Sequence, residues 1–233
     1  MALYAIADPH LCLGADKPMD IFRGWSDYMQ RFETAWRHLV TDDDTVIIPG
    51  DVSWATYLEE AKADLAFLHS LPGKKIIGRG NHDYWWETMN KLKGFIAAQG
   101  FDSISFLFNN AYSVDGITVC GTRGWFFDDT ADNTEKLILR EAGRLRLSLE
   151  AGKKLGGETV VFIHYPVVFE GRAIEPIFDV IKEYGVKRVY FGHIHGSFNP
   201  QWSHFTADGV TFSLISADYL SFTPKRIFPS GAE

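Results

Sequence analysis

Hydrophobic runs and amphipathic stretches alternate along most of this chain. Short apolar runs, bounded by polar or glycine-containing turns, predict strands at Leu3–Ala7, Thr45–Ile48, Lys75–Gly78, Ser103–Phe108, Ala111–Val114, Ile117–Cys120, Thr159–Ile163, Arg188–Phe191 and Val210–Ile215. Between them, apolar residues recur at helical spacing over 25–40, 56–70, 87–99, 134–151 and 176–184. In the second of these, Leu58, Ala61, Leu65 and Leu68 line one face, and Pro72-Gly73 punctuates the end. Each of the first three strands is followed by a helix, the pattern of parallel βαβ units. The middle of the chain differs: Asn109-Asn110 and Asp115-Gly116 separate three short strands and suit tight hairpin turns. A parallel half joined to a more antiparallel half is therefore expected, as two packed mixed sheets with helices outside.

Composition narrows this reading. The 233 residues carry no repeat and no long linker, so one domain over 1–233 is expected, and 46% hydrophobic residues can fill its core. The net charge of −7 argues against a general nucleic-acid surface. Cys12 and Cys120 have no CxxC-type neighbour, which disfavours a disulfide framework and makes a reducing, cytoplasmic setting the expectation. The N-terminus lacks a basic region before its apolar run and reads as a first strand. No stretch is long enough to cross a membrane.

The chemistry sits at the strand ends. Asp8-Pro9-His10, Gly50-Asp51, Gly80-Asn81-His82-Asp83, His164 and Gly192-His193-Ile194-His195 mostly follow hydrophobic runs, and they hold five of the eight histidines. Taken singly, an Asp at a strand end is as easily a turn residue, and a lone His as easily a core residue. Together, Asp8, His10, Asp51, Asn81, His164, His193 and His195 supply seven donors. With one carboxylate shared, these make two four-ligand sites. Mixed oxygen and nitrogen donors suit a pair of divalent ions, which adds about four positive charges locally and attracts a phosphate ester. His82 is left free for proton transfer, with Asp83 able to orient its ring.

The ordered set Asp8-Pro9-His10, Gly50-Asp51-Val52-Ser53, Gly80-Asn81-His82-Asp83, His164-Tyr165-Pro166 and Gly192-His193-Ile194-His195 resembles the calcineurin-like metallophosphoesterase family. The resemblance implies a four-layer α/β/β/α sandwich. It implies one metal held by Asp8, His10, Asp51 and His195, and a second held by Asp51, Asn81, His164 and His193. It also implies in-line attack on phosphorus by a bridging hydroxide. His82, backed by Asp83, would then steady the phosphoryl oxygens or protonate the leaving alkoxide. Manganese is the expected activator, with Fe, Zn, Co and Ni as alternatives, and a phosphodiester is preferred over a phosphomonoester as substrate. A metal-free binding module on the same fold is the main rival.

Other residues are less decisive. Arg123 and Trp125 sit in a glycine-bearing loop after a strand, where they either bind phosphate and stack on a substrate or form a surface ion pair and a core aromatic. Trp54 and Tyr84-Trp85-Trp86 either wall the pocket or pack the core. Arg79 is expected in an ion pair, and His38, His69 and His204 in structural or surface roles. Asp42-Asp43-Asp44 reads as a solvated turn, and nothing assigns a function to Asp128-Asp129.

Overall fold

The computed structural model describes residues 1–126, 134–196 and 198–231, so Asp128-Asp129 lies outside the described residues. Strand β1 (Leu3–Ala5) leads through α1 (Tyr28–Leu39) to β2 (Thr45–Pro49), α2 (Lys62–Ser70), β3 (Lys74–Gly78) and α3 (Met89–Gln99). Then come β4 (Ile104–Phe106), β5 (Tyr112–Val114), β6 (Ile117–Thr122), α4 (Thr134–Gly152) and β7 (Glu158–Ile163). A small hairpin, β8 (Val168–Phe169) and β9 (Arg172–Ala173), precedes α5 (Glu175–Glu183) and β10 (Arg188–Phe191). The chain ends through α6 (Pro200–Ser203), β11 (His204–Ala207), β12 (Val210–Leu214) and β13 (Lys225–Ile227).

Two mixed sheets result. The first runs β13-β1-β2-β3-β4, parallel except for β13 at its edge. The second runs β11-β12-β10-β7-β6-β5, parallel in its centre with antiparallel β5 and β11 at the edges. Alternation along the strands makes the layers. Leu3, Ala5 and Ala7 point to an inter-sheet core with Ile47, Ile76, Val119, Val160, Phe162 and Ile215. Tyr4 and Ile6 face the other way, onto α1, α2 and α3 through Phe32, Trp36, Leu65 and Leu92. On the far side, Val161, Ile163 and Val189 pack against Leu145 and Leu149 of α4 and Phe178 and Ile181 of α5. Both faces of each sheet are covered, which is why the strands read as near-continuous apolar runs. The expected α/β/β/α sandwich is the fold.

The second sheet is the more antiparallel of the two, as expected, with antiparallel pairs at both edges, but one of the two expected hairpins is corrected. Asp115 and Gly116 do turn a hairpin between β5 and β6, both at positive φ (50° and 77°). Asn109 also has positive φ (59°), but its turn carries the chain from β4 in one sheet to β5 in the other. A turn signal reports local backbone shape, not the partner of the next strand. The helix expected from residue 56 begins only at Lys62, because 56–61 fold into turns in which Glu60 Oε2 accepts from Thr56 N and Tyr57 N.

At one edge the two sheets are stitched together. Ala7 N donates to Ile215 O over 2.8 Å, and Ala217 N donates to Ala7 O over 2.8 Å. The ends of β1, β2, β3, β7 and β10, each carrying a motif, all open at this seam. Among the described residues no helix is long and apolar enough to cross a membrane.

Candidate metal centre

Three of the five motifs leave their strands through backbone turns at positive φ. Asp8, His10, Asp51 and His193 all sit at positive φ (57°, 46°, 50° and 72°), a region that costs non-glycine residues of order 1–3 kcal/mol each. Surrounding bonds hold them there. His10 N donates to Asp51 O and Asp8 N to Gly50 O, both over 3.1 Å, so the first two strand ends are clamped together. His193 N donates to Asp8 Oδ2 over 2.9 Å, and His82 N to Asp51 Oδ1 over 2.8 Å.

Three motif glycines, Gly50, Gly80 and Gly192, are required by space. A Cβ on Gly80 would lie 2.1 Å from Asp51 Oδ1, and one on Gly192 would lie 2.5 Å from Asp8 Oδ2. The backbone must pass this close for the carboxylates to be caught by the neighbouring N–H groups.

The result is two adjoining donor groups. Asp8, His10 and His195 offer ligand atoms within 4.8 Å of one another, and so do Asp51, His164 and His193. Asn81 Oδ1 reaches the second group, 2.6 Å from His164 Nε2. Asp51 lies between the two: its Oδ2 is 3.7 Å from His10 Nε2 and 3.6 Å from His164 Nε2. All seven expected ligands are thus brought together, with Asp51 at the junction.

The electrostatics show what the donors lack. Burial pushes His10 and His193 down to about 3, so both imidazoles are neutral and offer lone pairs. Asp8 is held below the usual carboxylate range: burial works against its charge, but the His164, His195 and His10 rings outweigh it. Asp51 is pushed up to about 7 by burial, with Asp8 and Asp83 adding like charge. Asp8 Oδ1 and His164 Nδ1 lie 3.3 Å apart, and His10 Nδ1 is buried with no hydrogen-bond partner. His195 is pushed up to about 9 and His164 is raised: burial works against both charges, but Asp218 and Asp8 outweigh it at His195, and Asp51 and Asp8 at His164. Buried carboxylates that draw protons onto two of the imidazoles, with two neutral imidazoles beside them, fit divalent cations as the charge the site would take instead.

Asp83 requires a correction. It was expected to orient the His82 ring, but its buried carboxylate is fully engaged elsewhere. Oδ2 accepts from Gly80 N and Asp51 N, and Oδ1 from Val52 N, Ser53 N and Trp85 Nε1, at 2.7–3.3 Å. His82 Nδ1 is buried without a partner. The cause is backbone geometry: the turn after Gly80 points Asp83 back under the Asp51 turn. His82 itself lies on the open side, its ring 4.4 Å from Trp54 and 5.7 Å from His10.

Other expected residues fall into place around this. Trp54 stacks on His10 at 4.9 Å, Trp85 and Trp86 are buried in the core, and Tyr84 is exposed. The Arg123 guanidinium lies over the Trp125 ring at 4.7 Å, and Trp125 packs against the second core. Arg79 was expected in an ion pair; instead its Nε, like that of Arg123, is buried without a hydrogen-bond partner. His69 and His204 bond Ser103 and Ser213, and His38 is exposed.

Two residues escape the sequence reading. Ser216 Oγ donates to Asp8 Oδ2 over 2.7 Å, and Asp218 Oδ1 lies 2.9 Å from His195 Nδ1. The one available signal was position: both follow the apolar run of β12, as the motif residues follow theirs.

At a seam of two parallel-centred sheets, the described residues bring together two carboxylate–histidine groups that could each hold a metal ion, with Asp51 near both. The family model of the calcineurin-like phosphoesterases matches residues 1–197, and the chain belongs to that family. Membership implies metal-dependent phosphoesterase activity. No curated protein matches the chain in sequence. Among solved structures it is similar to a protein of unknown function from Aquifex aeolicus, with a TM-score of 0.53 and 16% identity over 97% of this chain and 95% of that one. It is also similar to TT1561 of Thermus thermophilus, with a TM-score of 0.56 and 14% identity over 97% of each chain. At such identities the likeness concerns the fold.

Proposed function

We propose that this protein hydrolyses a phosphodiester with two divalent ions held side by side. One ion would be held by Asp8, His10, Asp51 and His195, the other by Asp51, Asn81, His164 and His193. The observation that carries this reading is the convergence of seven donors into two groups that meet at Asp51. Bound there, the ions would polarise a phosphoryl oxygen and lower the pKa of water towards neutrality. Manganese suits the oxygen–nitrogen donor set, with Fe, Zn, Co and Ni as alternatives.

The chain's own residues supply the rest. His82 is held in place by its N–H to Asp51, and burial, with His164 and His195, lowers its pKa. A neutral imidazole at neutral pH donates a hydrogen bond to a phosphoryl or leaving oxygen rather than carrying a stored proton. Arg79 and Arg123, semi-buried with unpartnered Nε atoms, offer positive charge to the phosphate. Two recesses near the donor residues support a substrate with two ester arms. Near Asp218 lies an open cleft of about 570 Å³ lined by Arg23, Gly24, Gly196 and Phe198. Near His193, beyond Phe126, lies one of about 200 Å³ lined by Phe169 and Ile174. A nucleotide or other small phosphate ester fits these recesses and the net charge of −7 better than a long nucleic acid.

A phosphomonoester is the second reading, favoured by Arg79 and Arg123 with their unpartnered Nε atoms, whose charges suit a dianion. Metal-stripped protein reloaded with Mn²⁺ and given bis-p-nitrophenyl phosphate and p-nitrophenyl phosphate in parallel separates the two. The expected result is turnover mainly of the diester, reduced about 10²-fold or more in His82→Ala with metal content unchanged. Dominant monoester turnover would establish the second reading. No turnover of either with any divalent ion would count against both.

A further inference from the structure

The family match ends at residue 197, yet the chain beyond it reaches the metal centre twice. Strand β12 runs parallel to β10, and the bridge from Ala7 to Ser216 brings residues 216–218 against the end of β1. There Ser216, fully buried, donates to Asp8 Oδ2. Asp218 takes His195 Nδ1 with one oxygen and the Gly196 N–H with the other, the latter over 3.0 Å. The turn is held in place by Phe222, whose ring lies 5.0 Å from Trp25, which in turn meets His195 edge-on at 5.8 Å.

Each contact removes one of two options from a ligand. Asp8 has two oxygens, and Oδ2 is taken by Ser216 and His193 N, which leaves Oδ1, 3.3 Å from His164 Nδ1, as the oxygen that neither contact engages. His195 has two ring nitrogens, and Asp218 takes Nδ1. In the neutral ring, a proton shared from Nδ1 to a carboxylate puts the lone pair on Nε2 and makes it a better donor. That Nε2 lies 3.3 Å from His10 Nε2, where an ion would draw on both.

We propose that Ser216 and Asp218 are positioning residues of the Asp8–His10–His195 site, so that a segment outside the family region selects the atoms with which this site takes its ion. The inference rests on the dinuclear reading above. It differs from a purely structural role for the 216–222 turn, because it predicts an effect on one ion and not the other.

The test is calorimetric titration of Mn²⁺ into the metal-free full chain, with near-ultraviolet circular dichroism to check folding. Wild type is expected to take up two ions. Asp218→Ala is expected to keep one at wild-type affinity and to bind the other about 10–100-fold more weakly. Asp218→Asn, whose amide oxygen still accepts from Nδ1, falls in between, and Ser216→Ala weakens the same ion by less than Asp218→Ala. Wild-type affinity for both ions in Asp218→Ala, or equal weakening of both, overturns the inference. Should Asp218→Ala fail to fold, Ser216→Ala decides: selective weakening of one ion supports the inference, and unchanged binding overturns it. Wild type that takes up fewer than two ions would overturn the dinuclear reading first, and this inference with it.

Discussion

Asp83→Ala is expected to destabilise the metal-free protein by about 3–5 kcal/mol, the largest stability effect of any single change at the site. Five donors end on this one carboxylate, four of them backbone N–H groups from the Gly80 and Asp51–Ser53 turns. Removing it leaves those groups buried and unpaired, at about 1–3 kcal/mol each before relaxation. Asp83→Asn is the sharper experiment. Both carboxylate oxygens receive N–H groups, so whichever end the amide nitrogen occupies, donor faces donor. The asparagine variant is therefore expected to lose nearly as much stability as the alanine variant, measured by urea denaturation. Had Asp83 served only to orient His82, Asp83→Asn would keep stability and alter the pH profile of turnover instead.

Asp51→Asn is expected to do the opposite to stability while costing the most activity. Its Oδ1 still accepts the His82 N–H, but an amide nitrogen replaces the oxygen that faces both His10 and His164. Both donor groups lose their shared charge, and kcat/KM for a phosphate ester should fall by about 10³ or more. The metal-free variant should be at least as stable as wild type at pH 8. The Asp51 carboxyl, at 3.8 when unfolded, is pushed up to about 7 in the fold, chiefly by burial. A raised folded value means that wild type binds an extra proton between those limits and loses stability as pH rises from about 4 to 7. Asparagine has no such proton to lose. Thermal melts of both metal-free proteins at pH 5 and pH 8 check this. A wild-type melting temperature that fell no more than the variant's between the two would contradict it.

Much of this architecture is written locally. The runs Leu3–Ala7, Thr45–Ile48 and Arg188–Phe191 predict strands, and the polar residues after them predict where ligands emerge; all seven candidate ligands meet at one seam. What the chain does not reveal locally is partnership. Asn109-Asn110 marks a turn whether the next strand pairs back or crosses to another sheet. The direction of the Asp83 side chain depends on the Asp51 turn, 32 residues away. Edge strands β11 and β13 carry only weak apolar alternation, since one side of each faces solvent or a sheet end. Asp218 belongs to no recognisable spacing, because its partner His195 lies 23 residues earlier, in the loop after another strand.

On the proposed reading, two ions sit side by side at the seam and share Asp51. A crystal of the metal-free protein soaked in Mn²⁺ and measured at the manganese absorption edge tests it most directly. Two anomalous peaks are expected, one against Asp8, His10 and His195, the other against Asn81, His164 and His193, with Asp51 reaching both. A single peak, or a pair lying away from Asp51, would contradict it.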